Sequence, residues 1–327
     1  MAASEILCVG ELLWDSLPAG LFLGGSPFNV ACHLRAAGQP VAMVSRVGRD
    51  RLGEEALRRV ARYGVGTDLI QVDPALPTGF VGVTLDEAGR PDFEIVSPAA
   101  WDAIEPSDAL VRRAAGARAI VFGSLAQRSA VSRHTIQRLW DSPALTVFAV
   151  NLRAPHDDRE VVRQSLRRAD VVKVTEEELR QLAAWFDLPG ASRTVETVAA
   201  LARTFDCRTV CVTRGREGAA LWRDGKWTEH PGFTIEVRDF VGAGDAFLAV
   251  LLAGLFAGVD DHALLQHAAL IGAYVATQSG AVPADQHAMV APVPDAAERQ
   301  TAPAPARTRD RPSKGKARGP RRGRPGG

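Results

Sequence analysis

The chain has 327 residues, of which 46% are hydrophobic and 24% are charged, and its formal net charge is +1. This profile suits a soluble globular protein with one large α/β domain or two small ones. Three features argue against secreted and membrane proteins and predict a cytoplasmic one: four cysteines without a C-x-x-C pair, an N-terminus without a signal-like segment, and a most apolar helix (residues 246–259) too short to span a bilayer.

The first elements follow an alternating strand and helix pattern. Residues 6–10 form a short apolar run that ends in glycine, as a buried parallel strand does. After a mixed segment, Ser26 is a good N-cap and Pro27 suits the first position of a helix over 28–37, which stops at Gly38. The next elements are a strand over 41–47 and a helix over 50–63.

The pattern changes between residues 78 and 97. Apolar residues alternate with small or polar ones, a turn follows at 86–91, and residues 93–96 run back. This is the signature of a β-hairpin, so we expect a small sheet separate from the main one. Beyond it the alternation resumes, with strands predicted over 119–122, 146–150, 171–174 and 209–212.

Strands that alternate with helices predict a parallel sheet covered by helices on both faces. Ligands of such sheets bind beyond the carboxyl ends of the strands. Polar residues stand there in the sequence, at 151–153, 175–178 and 213–215. We therefore expect the functional site along that edge.

A glycine-rich loop then runs into a helix that is apolar on nearly every face. Gly242 and Gly244 allow a close approach to the backbone, and the first N–H groups of a buried helix attract an anion such as a phosphate. Asp245 follows directly, where a base could take a proton from an attacking hydroxyl. An Asp in a first helical turn is also common without any catalytic role, because it interacts favourably with the helix dipole.

Two other nucleotide-binding classes do not match. A dehydrogenase needs G-x-G-x-x-G just after the first strand, and the segment after Gly10 does not supply it. The G-x-x-x-x-G-K-[ST] phosphate loop is absent from the sequence as well.

Two motifs together resemble the PfkB (ribokinase-like) family of carbohydrate kinases. Residues 24–31 (GGSPFNVA) with 45–53 resemble its N-terminal signature, and residues 239–245 (DFVGAGD) resemble its C-terminal signature, Asp-Thr-x-Gly-Ala-Gly-Asp. The resemblance covers roughly residues 5 to 292. It implies an α/β ribokinase-like three-layer sandwich, with a mostly parallel central sheet flanked by helices and a small β-sheet lid.

The resemblance also implies a domain organisation. The kinase domain would span 1–294, with the lid drawn from about 11–23 and 78–103. Residues 295–327 are rich in Pro, Gly, Arg and Lys and are expected to form a disordered basic tail. A solvated extension is the favoured interpretation of that tail, and nucleic-acid binding the alternative.

The family resemblance assigns roles to the residues around the glycine loop and the sugar. Asp245 would be the catalytic base, and the backbone of Gly242, Ala243 and Gly244 would form the anion hole, the set of N–H groups that stabilises the transferring phosphoryl group. Residues expected to bind the sugar are Asp15, Gly25, Asn29 and Arg153. Arg153 could contact sugar or phosphate, or be a structural ion-pair partner.

It assigns ATP and Mg2+ as well. Glu178 would act near the metal, since Mg2+ prefers oxygen ligands, although three successive Glu at a helix start also suit the helix dipole. Thr175 and Phe240 depart from the family pattern, which has Asn and Thr there, and some relatives hold a monovalent cation near the anion hole. The residues expected beside the nucleotide are Thr213, Gly215, Gly218, Gly272 and Ser279.

The sequence thus predicts an ATP-dependent kinase of a sugar hydroxyl, most similar to fructokinase-type members. Ribose, 2-keto-3-deoxygluconate and nucleosides stay open as substrates. The alternative of another class is a non-catalytic sugar or nucleotide sensor. Relatives often pair through the lid, so a homodimer is expected, with no membrane partner.

Overall fold

The computed structural model describes residues 4–17, 20–85, 91–189 and 194–283. The tail predicted over 295–327 and most of the turn predicted at 86–91 lie outside these residues. In the described part, the strands are β1 (Ile6–Val9), β2 (Leu13–Leu17), β3 (Gly20–Gly24), β4 (Val41–Gly48), β5 (Ile70–Asp73), β6 (Gly79–Leu85), β7 (Pro91–Ile95), β8 (Ala119–Gly123), β9 (Leu145–Ala149), β10 (Val171–Thr175), β11 (Thr209–Thr213), β12 (Ala219–Arg223) and β13 (Lys226–His230). The helices are α1 (Ser26–Ala36), α2 (Arg51–Arg62), α3 (Asp108–Ala115), α4 (Ala130–Leu139), α5 (Arg159–Leu166), α6 (Glu176–Phe186), α7 (Thr194–Phe205), α8 (Ala243–Ala257) and α9 (Asp261–Ala276).

The central sheet has nine described strands in the order β13-β12-β11-β10-β9-β8-β1-β4-β5. From β11 to β5 neighbouring strands are parallel, and at the other edge β12 pairs antiparallel with both β11 and β13. The predicted mostly parallel α/β sheet is therefore confirmed. The edge strands β5, β12 and β13 were not predicted, because short strands at a sheet edge carry a weak apolar signal.

Two hydrophobic layers cover the two faces of this sheet. Along β1, Ile6 and Cys8 pack with residues of α1, α2, α8 and α9, whereas Leu7 and Val9 pack with residues of α3 to α7. Because side chains of a strand alternate between faces, one strand contributes to both layers. This is the three-layer sandwich that the sequence predicted. All four cysteines are buried thiols within it.

A second, smaller sheet has the order β3-β2-β6-β7. It unites the segment after β1 with the predicted hairpin, through parallel pairing of β2 with β6. These are the two segments in which the lid was predicted. Residues 96–103 do not extend the small sheet; they end in a short 3-10 turn whose Trp101 is fully buried against the main domain.

The start of α1 differs from the prediction. The N-cap is Gly25, with φ 106°, and Ser26 is the first helical residue instead of the cap. A Cβ at position 25 would collide with the backbone oxygen of Glu11, so this close approach requires glycine. The hydroxyl of Ser26 is thereby free for a partner elsewhere. Within the part of the chain that is described, none of the helices has both the length and the apolarity to cross a membrane.

Candidate active site

The glycine loop places the start of α8 in a fixed position. Gly242 is the N-cap of α8 with φ 78°, a left-handed conformation that favours glycine. A Cβ there would lie 2.5 Å from Cα of Ala281, so the loop and the segment around Ala281 pack backbone to backbone. The helix that follows is buried along most of its length. Its N-terminus, and the Asp245 in its first turn, are consequently held rigidly.

The carboxylate of Asp245 is bound by two side chains of α1. Ser26 Oγ donates to Oδ1 at 2.6 Å, and Asn29 Nδ2 donates to Oδ2 at 2.9 Å. Asn151 Nδ2, at the end of β9, donates in turn to Ser26 Oγ at 2.5 Å. Because Ser26 Oγ accepts from Asn151, its own proton points to Asp245. The structure thus shows a hydroxyl hydrogen-bonded to the predicted base.

The N-terminus of α8 offers unpaired N–H groups and a nearby cation. The Ala243 N–H donates to Phe240 O at 3.3 Å, while no described residue accepts from the N–H of Gly244 or Asp245. Lys173 of β10 is only 4% exposed, and its Nζ lies 3.0 Å from the point where a Cβ on Gly244 would stand. Two backbone donors and an ammonium therefore lie next to the same turn of helix, as an anion requires.

The predicted sugar-binding residues lie on the side of α1 and the small sheet. Asp15 of β2 is half-buried, and a Cβ on Gly24 would collide with its Oδ2. Burial raises the pKa of Asp15 to about 6, an effect that the charge of Arg153 opposes and that of Asp239 reinforces. Arg153 is exposed, and its Nη1 donates to Leu152 O at 2.7 Å.

Glu11 is an additional carboxyl group between these residues and the predicted base. Its side chain is 3% exposed, and Oε1 accepts from Ser26 N–H at 3.2 Å, while Oε2 is buried with no partner among the described residues. Burial raises its pKa to about 7; the charge of Arg153 lowers this pKa and that of Asp245 raises it. A buried carboxyl that lacks a partner is costly and is a candidate hydrogen-bonding site.

A cavity of about 600 Å3 opens on the other side of the α8 N-terminus. It lies between the ends of β10 and β11, the loop after β13, and helices α8 and α9. Predicted nucleotide contacts that line it are Thr213, Gly215, Gly218 and Gly272, and Lys173 and Gly244 line it as well. Ser279 is exposed and is not among the lining residues. The structure thus brings four of the five predicted nucleotide contacts to one cavity.

The carboxylate of Glu178 is occupied by the backbone. Its Oε2 accepts from Thr175 N–H at 2.7 Å and its Oε1 from Leu152 N–H at 3.0 Å, and Thr175 Oγ1 caps the helix by accepting from Glu178 N–H. This capping box explains Thr175 structurally, since its hydroxyl satisfies the start of α6. The two carboxylates that line the cavity are Glu176 and Glu177. A metal role for Glu178 stays a prediction.

Phe240 lies at the entrance of the cavity. Its side chain is 66% exposed although it is large and apolar, and it lines the cavity together with Gly244. The neighbouring Asp239 is held by the backbone: its Oδ1 accepts from Val241 N–H at 3.0 Å, and its Oδ2 accepts from Gly280 N–H at 3.2 Å.

Four residues of this site escaped the sequence analysis. Ser26 was assigned to helix capping, Asn151 received no role, and Glu11 and His33 were not singled out. Their contacts join residues that are distant in sequence; Ser26 and Asp245, for example, are 219 positions apart. The spacing 26, 29 and 33 places three polar side chains on one face of α1 and could have indicated Ser26 and His33.

Comparison with known proteins agrees with this geometry. The model of the pfkB family of carbohydrate kinases matches residues 19–288. The chain is 32% identical over 301 residues to a fructokinase of Klebsiella pneumoniae, a match that covers 86% of this chain and 95% of that protein.

Solved structures are similar as well. The structure of a fructokinase of Xylella fastidiosa with bound ATP superposes with a TM-score of 0.74 at 26% identity and covers 91% of this chain and 99% of its own. A double mutant of the Vibrio cholerae fructokinase was solved with fructose, ADP and potassium ion. It superposes with a TM-score of 0.70 at 26% identity, and the match covers 86% of this chain and 94% of that one. The chain therefore belongs to the pfkB family of carbohydrate kinases, and it is a fructokinase-like sugar kinase.

Proposed function

We propose that this kinase transfers the γ-phosphoryl group of ATP to a hydroxyl of fructose or a closely similar neutral sugar. The observation that carries the proposal is the 2.6 Å hydrogen bond from Ser26 Oγ to Asp245 Oδ1, beside the unpaired N–H of Gly244. A sugar hydroxyl in place of that of Ser26 would donate its proton to the same carboxylate. The acceptor would then lie next to an anion-binding helix start.

In the proposed reaction, a base acts on the hydroxyl, and an anion hole and a lysine act on the transferring phosphoryl group. The sugar oxygen forms a bond to the γ-phosphorus while the bond from that phosphorus to the bridging oxygen of ATP breaks, and ADP leaves. Asp245 takes the proton of the hydroxyl. The N–H groups of Gly242 and Gly244 and the ammonium of Lys173 stabilise the negative charge on the transferring group, whereas the N–H of Ala243, predicted to join them, already donates to Phe240 O.

The residues around the cavity are compatible with Mg2+, whereas a monovalent cation is only predicted. Mg2+ keeps several waters and usually takes only one or two carboxylates in addition to phosphates, so the absence of a three-ligand metal cluster among the described residues is compatible with it. Glu176 and Glu177 line the cavity, and Glu178 stands beside them. Mg2+ held there would neutralise phosphate charge. A monovalent cation near the anion hole stays a prediction, tested by comparing turnover in KCl and NaCl.

The sugar side favours a neutral polyol. Glu11, Asp15 and Asp245 would place three carboxyl groups around the acceptor position, and the charge of Arg153 lowers the pKa of Glu11 and of Asp15. Carboxylates accept hydrogen bonds from sugar hydroxyls selectively, because an analogue without the hydroxyl leaves them unpaired. Relatives named fructokinases match most of the chain, which supports fructose ahead of ribose, 2-keto-3-deoxygluconate or a nucleoside.

The lid and the assembly belong to the same proposal. The small sheet (β3-β2-β6-β7) carries Asp15 and leads into α1, so its closure would cover the sugar and exclude water. Pairing of two copies through this sheet is expected and is measured by sedimentation of the purified chain.

The test is ADP release from ATP with Mg2+ and each of fructose, ribose, 2-keto-3-deoxygluconate and adenosine. We expect turnover with fructose, and a loss of about 100- to 10,000-fold in kcat for Asp245→Asn, because the base is removed and its shape is kept. An unchanged rate in this variant would identify another base. If the unsubstituted chain released no ADP with any of the four acceptors but still bound the nucleotide, the result would favour a sensor.

A further inference from the structure

His33 occupies the same face of α1 as Ser26 and Asn29, two turns along the helix. Its side chain is 1% exposed, and Nε2 lies 2.9 Å from Ala281 O. A carbonyl oxygen only accepts, so Nε2 carries the proton of this hydrogen bond. Burial lowers the pKa of His33, while the carbonyl of Ala281 and the charge of Asp245 oppose that shift. The ring is a neutral donor with a defined tautomer.

The carbonyl that His33 binds belongs to the segment against which the glycine loop packs. A Cβ on Gly242 would lie 2.5 Å from Cα of Ala281 and 2.6 Å from its Cβ and O. The preceding N–H, that of Gly280, donates to Asp239 at the other end of the same loop. The segment at 280–281 is thus bound to α1 on one side and to the glycine loop on the other.

We infer that His33 is a positioning residue for phosphoryl transfer, acting through Ala281 on the anion hole. One face of α1 then positions both the base and the anion hole. Ser26 and Asn29 orient the carboxylate of Asp245, and His33 fixes the segment at 280–281 against which Gly242 packs. The inference rests on the proposed function, since it assigns to His33 a role in the same site. His33 itself touches neither sugar nor nucleotide in this assignment.

A burial role alone would have different consequences. His33 Nδ1 is buried with no hydrogen-bond partner among the described residues, so the ring carries an unfavourable polar atom that an apolar side chain of similar size would lack. If His33 only filled space, His33→Met would be neutral or stabilising and would leave turnover intact. If it positions the anion hole, turnover falls because the Ala281 carbonyl loses its donor.

The experiment compares His33→Met, which removes the donor, with His33→Gln, whose amide N–H reaches a similar position. We expect kcat of His33→Met to fall about 100-fold, as for other small misplacements of reacting groups, while KM for fructose and for ATP stays within about threefold. His33→Gln is expected to recover most of kcat. Leu34→Val, a buried change on the same helix that keeps the His33 ring, serves as the control for lost packing.

A second readout separates this inference from the proposed function. Binding of ADP is measured by calorimetry with and without fluoroaluminate, which imitates the transferring phosphoryl group. We expect His33→Met to bind ADP as the unsubstituted chain does and to lose the extra affinity that fluoroaluminate confers. The inference is overturned by an unchanged kcat, by an equal loss in His33→Gln, or by no fluoroaluminate effect in the unsubstituted chain.

Failure of the proposed kinase function and failure of the inference about His33 give different results. If the unsubstituted chain phosphorylates none of the tested sugars, the proposed function fails. The fluoroaluminate comparison then still decides whether His33 supports an anion site at the start of α8.

Discussion

In the proposed reaction, Ser26 holds the position that an acceptor hydroxyl would take. Its Oγ donates to Asp245 Oδ1, and Asn151 fixes the direction of that proton. In the absence of sugar, this bond occupies one acceptor position of Oδ1. We expect Ser26 to limit hydrolysis of ATP, because water is the acceptor that competes with the sugar.

The substitution Ser26→Ala tests this. We expect sugar-independent ATP hydrolysis to rise about tenfold, because Oδ1 then accepts a hydrogen bond from water, which Asp245 can activate as an acceptor. Steady-state ADP release without sugar measures it. Ser26→Thr, which keeps a hydroxyl, is the matched control. A hydrolysis rate that is unchanged or lower in Ser26→Ala would show that Ser26 does not limit the activation of water by Asp245.

Helix α8 begins and ends at a glycine in the left-handed conformation. Gly242 has φ 78° and Gly258 has φ 69°. The surroundings differ, since a Cβ at 242 would meet Ala281 and a Cβ at 258 would meet nothing within 4 Å. An alanine would therefore meet similar backbone strain at the two positions but different packing.

This difference makes a matched pair of variants. Both Gly242→Ala and Gly258→Ala are expected to lose about 1 kcal/mol from left-handed strain, measured by denaturant unfolding. Only Gly242→Ala should also displace the helix start, with a loss of about 100-fold in kcat. Equal kcat in the two variants would mean that the packing of Gly242 on Ala281 does not set the anion hole.

Among the elements, those with a strong local signal could be predicted. The apolar runs of β1, β4 and β8 to β11 and the glycine loop of α8 follow from composition and spacing alone. The start of α1 could not be predicted, because the capping rule for serine competes with a backbone approach to Glu11 that only the folded chain reveals. His33 and Ala281, 248 positions apart, likewise meet only through tertiary packing.

For the whole molecule, Glu11 links the site to stability. Its pKa in the folded state is raised to about 7 from 4.5, so the folded chain binds a proton that the unfolded chain releases between these values. The contribution to stability is fully present below pH 4.5 and is lost as the pH rises through 7. Asp15, with a pKa of about 6, acts in the same direction over a narrower window.

Glu11→Gln should remove the larger part of this dependence, because the amide stays neutral and keeps the oxygen that accepts from Ser26 N–H. We expect the variant and the unsubstituted chain to be similar in stability at pH 4.5, and the variant to be more stable by up to about 3 kcal/mol at pH 8. Denaturant unfolding across this pH range measures it. Parallel curves for the two proteins would refute a raised pKa at Glu11.

Strand β3 ends at Gly24, Gly25 follows, and α1 begins at Ser26. The small sheet and α1, the helix whose side chains bind Asp245, are therefore separated by the single residue Gly25. Its backbone conformation, with φ 106°, is one that favours glycine. In the proposed lid closure, a rotation of the small sheet about Gly25 would also move Ser26 and Asn29, which bind the carboxylate of Asp245. Closure over the sugar and orientation of the carboxylate would then be coupled, and a ligand that fixed the conformation of Gly25 would lower turnover without entering either substrate site.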